Sequence, residues 1–403
     1  MGIKKEAYKG YKAYSYLTPD EDYKAYKMSK WNRTGEYRLP LSRDQEERLQ
    51  HLAREKIFIA FHEHPVYYPE NVVEEAVDYK YRGRHFCAYD ALAESYIDCV
   101  FDNLMAGRNV ITSQNGWKWT DIIHDLGMRL CDIAHQDFLV HCLRVDDITR
   151  AHREGKIAWV ACIEGSMPIE NELDRIDILY GLGIRMQGIT YAESNALGGG
   201  MTALTLDSDG GLTSFGHEAV KRMNKLGMGI DITHSGLRTS LDTVEASEKP
   251  VFLSHMGFRG LWEGQRKIDS DNMMKRLAEK GGVIGVAAPH VTPAKLNLVS
   301  DLETVMKSFE YLVDLVGIDH VAFGIDALYG YHVGLYKAYD KLDNKGVFSN
   351  PANKTDDFIK GLENPTESSW NILRWLVKNN YSDSDIEKVI GGNVMNALRN
   401  VWI

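Results

Sequence analysis

The residues able to do chemistry sit at one recurrent place, the end of a short apolar run. IFIAF (57–61) is followed by His62-Glu63-His64, IAWVACI (157–163) by Glu164, and IRMQGIT (184–190) by Tyr191. MGIDIT (228–233) is followed by His234, PVFLS (250–254) by His255, and HVAFGI (320–325) by Asp326. Four imidazoles and two carboxylates are the donors a hydrolytic metal centre needs. Two divalent ions require several imidazole nitrogens and one carboxylate able to bridge them, and they bring the pKa of a shared water toward about 7. A free carboxylate beside that water acts as proton shuttle, base for attack and acid for the leaving group. His62, His64, Glu164, His234 and His255 then supply ligands, and Asp326 supplies the shuttle. A single histidine at a strand end is more often a satisfied polar residue than a ligand. The grouping argues otherwise, because a carboxylate closing an apolar run is costly to bury without a partner. No Gly-x-Ser-x-Gly elbow, Walker-type loop or His-Glu-x-x-His helix occurs, so the rival hydrolytic and phosphate chemistries lack support.

Elements must hold these residues in place. NVIT (109–112) and GVIGVAA (282–288) bring the apolar runs to eight. Helical periodicity fills most of the intervals, as at Asp146–Glu154, Glu172–Leu182, Phe215–Leu226, Asp271–Lys280 and Leu302–Val316. Strands alternating with helices imply a parallel sheet, and eight of them an α/β fold closed as a (β/α)8 TIM barrel. Near-continuous apolar runs suit strands buried on both faces. In such a barrel the chemistry lies where strands end. His62 and His64, two apart on a strand, would both face the barrel axis and Glu63 would face outward. An open doubly wound sheet is the competitor, but no glycine-rich phosphate loop follows the first strand, and Gly198-Gly199-Gly200 reads as an ordinary loop. Residues 1–55 read as an N-terminal arm or cap with one helix near Arg43–Lys56, and residues 56–403 as the barrel with C-terminal helices. A long loop is expected over 329–365.

Composition narrows the classes. The 403 residues carry 47 basic and 57 acidic side chains, a net charge of −10, which argues against nucleic-acid or anionic-membrane partners. No apolar run approaches the ~18 residues of a membrane span, and MGIKKEAYKGYKAY has no signal-peptide core. Five cysteines with no Cys-x-x-Cys pair fit reduced thiols. A cytoplasmic protein with a small-molecule substrate is expected. The tyrosine-rich arm suggests subunit contacts, for which a homodimer is the commonest form.

The sequence resembles the membrane (renal-type) dipeptidase family, peptidase family M19, of the amidohydrolase superfamily. The likeness runs from about Lys56 to Leu398. It is most specific in DITRAHREGKIAWVACIEG (147–165), LTSFGHEAVKRMNKLGMGIDITH (212–234), PVFLSH (250–255), QRKIDSD (265–271), HVAFGID (320–326), GLEN (361–364) and IGGN (390–393). It implies a bridging Glu164, a first metal on His62, a second on His234 and His255, and Asp326 as general acid/base. It also implies that Arg266 binds a substrate's terminal carboxylate. Four positions depart from the family pattern: strand one carries His-x-His rather than His-x-Asp, Tyr191 stands where the family has a histidine, GIDALYG replaces GDFDG, and Glu164-Gly165-Ser166 replaces Glu-Gly-Gly. Tyr191 can donate a hydrogen bond to a developing oxyanion or shape the pocket. These departures keep the hydrolytic centre and put strict dipeptide specificity in question.

The reading is therefore a metal-dependent amide or peptide hydrolase with one or two divalent ions, Zn first and Mn, Fe or Co as alternatives. Its rivals are the same centre acting on a modified amide, lactam or ester, a decarboxylase, and a barrel without activity. His290, Trp262, Tyr329 and Tyr331 are further candidates for the pocket.

Overall fold

The apolar runs form strands because each is rich in β-branched and aromatic residues with no polar side to turn outward. The computed structural model describes residues 5–104, 118–191, 193–201, 207–256, 265–288, 291–293, 299–343, 353–355 and 357–403. Of these, 265–268, 291–293, 339–340, 342–343 and 353–355 are described by backbone alone. The strands are β1 (Ile59–Tyr67), β2 (Cys99–Asn103), β3 (Ile157–Ile163), β4 (Ile184–Gly188), β5 (Gly229–Asp231), β6 (Phe252–Met256) and β7 (Val283–Val286). β8 comes in two segments, Val321–Phe323 and Leu328–Tyr329. All pair in parallel in chain order. The first segment of β8 pairs with β7 and the second with β1, which closes the (β/α)8 barrel.

One set of strand residues fills the interior: Phe61, Phe101, Val160, Cys162, Met186 and Phe252. The helix Asn393–Val401 and Trp402 close the floor, with Trp402 stacked 6.2 Å from Phe101. The opposite set packs against the surrounding helices. Interior and exterior alternate along an ideal strand, yet Phe61 and His62 both face inward. The cause is a register shift in β1: Ala60 pairs with Val100, but Glu63 pairs with Asp102, so β1 carries one extra residue. β6 does the same, with Leu253 opposite Ile284 and Met256 opposite Val286. That bulge turns both Ser254 and His255 inward. A side chain at Gly285 or Gly324 would collide with the Ser254 carbonyl oxygen, so only glycine lets the neighbouring strands pass the bulge.

The helix Arg43–Glu55 starts at a capping box of Ser42 and Gln45 and buries Leu49 and Leu52. It pairs Glu46 with Arg374 of the helix Pro365–Lys378. The segment before it lies on the barrel: Tyr11 Oη and the Tyr14 amide donate to Asp132 (both 2.7 Å), and Lys5 pairs with Asp98 at 2.7 Å.

Three expectations need correction. Strand two is Cys99–Asn103, whereas 109–112 lies outside the described residues. Strand one runs on to Tyr67 because its end pairs with β8 and bridges Cys87. The stretch read as a long loop contains the helix His332–Asp343 and a short strand, Asn353–Thr355. The helix buries Leu335 and Ala338 against Val72 and Ala76.

Phe61→Ala should lower stability by about 3–5 kcal/mol, read from the urea midpoint, since its ring packs within 5.0 Å of Phe101 and 5.4 Å of Phe252. A loss below about 1 kcal/mol would mean the ring is not part of a tightly filled interior.

Candidate metal centre

The two bulges and the strand ends bring six donors to one mouth of the barrel. His62 is fully buried, and His64, Glu164 and His255 are nearly so. Asp326, reached where β8 changes neighbours, is a quarter exposed. Asp326 and His234 both hold left-handed backbone, at φ 62° and 66°. Non-glycine residues take that conformation at a cost, typically where a site constrains them.

Glu164 is central. Its Oε1 lies 2.9 Å from His234 Nε2, 3.3 Å from His255 Nε2 and 3.6 Å from His62 Nε2. Asp326 Oδ1 lies 3.2 Å from His64 Nε2 and 3.6 Å from His62 Nε2. His62 thus belongs to both groups, one with Glu164 and His255 and one with His64 and Asp326.

The chemistry of these atoms fits a divalent cation. His64 Nδ1 faces the Asn103 carbonyl oxygen at 3.0 Å, so it donates there and leaves a lone pair on Nε2. That lone pair faces the Asp326 carboxylate, and two acceptors so close need positive charge between them. His234 Nε2 and His255 Nε2 stand 2.8 Å apart in the same way. His62 Nε2 is buried with no hydrogen-bond partner at all. Without a cation, protons must do the same work. Burial pulls His64 down, but Asp326 and Glu164 push it up to about 9. Burial and the charges of His62 and His234 hold His255 well below the usual imidazole range. Burial raises Asp326, yet the adjacent His62 and His64 imidazoles outweigh it and hold it well below the usual carboxylate range. Glu164 is lowered likewise, by His234 and the charges of His62 and His64 against burial.

A polar layer beneath, not singled out in the sequence, orients the imidazoles. His62 Nδ1 meets the Asn103 amide at 3.2 Å and Ser254 Oγ at 3.3 Å, and His255 Nδ1 meets Ser254 Oγ at 3.1 Å. Ser254 in turn donates to Asp231, which also accepts from the Thr233 amide (2.9 Å) and hydroxyl (2.7 Å). Polar residues inside the runs CVFDN, MGIDIT and PVFLS were the available signal. Glu63 points away from the axis as expected, yet it is buried: its carboxylate accepts from the Ala327 amide at 2.9 Å and fixes the turn carrying Asp326. Burial pushes Glu63 up to about 8.

Tyr191 lies with its ring 4.4 Å from that of His234. Burial first, then the charge of Glu164, raise its phenol well above its ordinary value, so it keeps its proton. Tyr336, unnoticed in the sequence, senses both Asp326 and Glu164 and is raised by burial as well. Its ring stands 4.7 Å from His332 on the same helix. Arg266 falls in the first turn of the helix Gln265–Glu279, where side chains lie outside the described residues, as do Trp262 and His290 entirely. Tyr329 is buried with its hydroxyl on Thr366 (2.7 Å), a packing residue, whereas Tyr331 donates to Asp357 (2.7 Å) and lines a surface pocket with Arg33 and Glu70.

The profile of the membrane dipeptidase family, peptidase family M19, matches residues 46–335. The chain belongs to that family. It is a metal-dependent hydrolase by class. An uncharacterized dipeptidase of Schizosaccharomyces pombe is 29% identical over 252 residues, 62% of this chain. The chain spans 55% of that relative's length. An amidohydrolase of Pseudomonas aeruginosa superposes with a TM-score of 0.67 at 22% identity, covering 88% of this chain and 99% of the other. A metallo peptidase of Rhodobacter sphaeroides, liganded with a phosphinate mimic of the dipeptide L-Ala-D-Ala, gives 0.61 at 15% identity, covering 86% and 100%. Both likenesses bear on the fold.

Asn103→Ala should weaken retention of divalent metal by about 10–100-fold, as loss of a group orienting a ligand does. Metal content after graded chelator dialysis measures it, and unchanged retention would show that Asn103 does not orient the histidines.

Proposed function

We propose that this chain hydrolyses the amide bond of a dipeptide or closely similar small amide, with His62, His64, Glu164, His234 and His255 holding one or two divalent ions, zinc first. The observation that carries the proposal is the buried, partnerless Nε2 of His62 facing Glu164 on one side and Asp326 on the other. When bound, the ions supply Lewis acidity and an acidified water.

The chain's own residues do the rest. Glu164 stands among His62, His234 and His255, where its carboxylate would help to hold the ions. Asp326, ionised and partly exposed, takes the proton of the attacking water and passes it to the leaving nitrogen. The imidazoles of His64 and His62, 3.2 and 3.6 Å from its Oδ1, keep that oxygen aimed into the mouth. Tyr191, protonated and packed on His234, donates to the oxygen on which negative charge develops. Arg266 is assigned the substrate's terminal carboxylate on its place in QRKID. Tyr336, near enough to Tyr191 to act on its phenol, is assigned a place in the pocket wall.

A second reading keeps the centre and takes a non-peptide amide, lactam or ester. Tyr191 favours it, because a phenol in place of an imidazole changes both reach and charge at the substrate. We further propose a cytoplasmic location and a homodimer. Five unpaired cysteines, four of them buried, support the first, and among the described residues no helix is long and apolar enough to cross a membrane. Exposed Tyr16 and Tyr81 support the second, since Tyr11 and Tyr14 turn onto the chain's own Asp132.

Asp326→Asn should retain bound metal and lose about 10²–10⁴-fold in kcat. Near-normal turnover would remove Asp326 from the proton path. The substrate question is met by assaying dipeptides, including those with D-configured C-terminal residues, beside N-acyl amino acids and cyclic amides. Dipeptide turnover abolished by Arg266→Ala is expected, whereas turnover confined to cyclic or acylated substrates would establish the second reading.

A further inference from the structure

The run Gly198-Gly199-Gly200 reads in sequence as an ordinary loop, yet its surroundings are specific. Residues 198–201 are wedged between the segment carrying Tyr191 and the segment carrying His234. On one side the Tyr191 carbonyl oxygen accepts from the Met201 amide at 2.8 Å, and the Thr190 hydroxyl meets the Gly199 carbonyl oxygen at 3.2 Å. On the other side Gly200 pairs with Ser235, and the Gly236 amide donates to the Gly199 carbonyl oxygen at 2.8 Å. The Thr190 and Ser235 hydroxyls also meet directly, at 3.0 Å. Ser235 and Gly236 follow His234, whose left-handed backbone persists only where its neighbours are held.

Asp209 holds this wedge from behind. It is 2% exposed, and its carboxylate accepts three hydrogen bonds, all from neutral groups. Oδ1 takes the Gly211 amide (3.0 Å) and the Thr239 hydroxyl (2.7 Å), and Oδ2 takes the Thr239 amide (2.8 Å). The Thr239 oxygen in turn accepts from the Gly199 amide at 2.9 Å, so one hydroxyl joins Asp209 to the glycine run. The Thr239 amide lies in the first turn of the helix Leu237–Ala246, whose N-cap is Gly236 and has no side chain to cap it. Asp209 does so from a different loop.

The fit is close. A Cβ at Gly199 would stand 2.3 Å from Asp209 Oδ1, one at Gly236 2.2 Å from Oδ2, and one at Gly198 2.6 Å from Thr239 Cγ2. Capping a helix needs only one serine or threonine hydroxyl. A carboxylate buried among neutral donors is the more costly choice, and here it sits where the two functional segments are joined.

We propose that Asp209 is a positioning residue. Through Thr239 and the glycine run, its carboxylate locks the Tyr191 and His234 segments into one body, so that their rings, 4.4 Å apart, keep a fixed separation. The inference rests on the roles given to these two residues in the proposed function: His234 as a ligand and Tyr191 as the donor to the substrate oxygen.

The test uses the full chain loaded with cobalt(II), whose visible absorption reports the ligands around the ion without turnover. Thr239→Val keeps the shape and removes the joining hydroxyl, whereas Thr239→Ser keeps the hydroxyl. Asp209→Asn sets an NH2 group against a donor whichever way the amide turns. Thr239→Val and Asp209→Asn should shift the cobalt bands, and Thr239→Ser should leave them in place. Thr239→Val should also lower kcat by about 10–100-fold with KM little changed, because misplacing a group that acts on developing charge slows turnover rather than binding. In a Tyr191→Phe background the same change should cost clearly less, since the donor it places is gone. Unchanged bands in Thr239→Val, equal losses in both backgrounds, or a Thr239→Ser protein as impaired as Thr239→Val would each overturn the proposal. The Thr239 pair decides the question even if Asp209→Asn does not fold. Shifted bands in a protein that hydrolyses none of the substrates would overturn the proposed function alone, whereas failure to take up cobalt would remove both.

Discussion

Unshared electron pairs crowded into a dry pocket repel one another unless positive charge lies among them. Four imidazoles and two carboxylates meet at the mouth of this barrel under that constraint, with nitrogen and oxygen atoms 2.8–3.6 Å apart. Much of the surrounding architecture exists to hold them there against that repulsion. Bulges in β1 and β6 turn His62 and His255 inward, Asn103 and Ser254 fix the outer nitrogens of the rings, and Glu63 ties down the turn beneath Asp326. Left-handed backbone at His234 and Asp326 is a further cost accepted for position.

Residue type and strand-end placement made the donors legible before any coordinates, because a (β/α)8 barrel forces strand ends to converge. The barrel itself was legible for the same reason, as seven of the eight apolar runs became its strands. Strand two was missed, since CVFDN mixes one β-branched residue with two polar ones, while NVIT, which lies outside the described residues, has the better composition. What composition cannot report is register. An extra residue in β1 or β6 leaves no mark in the chain, yet it decides whether Phe61 and His62 share a side. The polar layer of Asn103, Asp231 and Ser254 was hidden too, because short polar residues inside strands read as minor interruptions. The helix His332–Asp343 escaped notice behind Gly330 and Gly334, and with it Tyr336.

Family membership and local chemistry speak to different levels. The family explains the barrel and the donor set. The histidine at position 64 and the tyrosine at 191 are the two positions on which the proposed substrate preference turns. In the proposed reaction, His64 changes the charge of the donor set and Tyr191 the proton supply beside it.

The divided pairing of β8 has a consequence for how the molecule comes to exist. Its first segment belongs to β7 and its second to β1, so the stretch between them, carrying Asp326, is the seam where the last strand meets the first. Contacts across it join residues more than 250 positions apart, among the most expensive to form in chain entropy. His62 and Asp326 face each other across that seam. Closing the barrel and completing the site are therefore one event, and an unclosed folding intermediate has nowhere to carry out the chemistry prematurely.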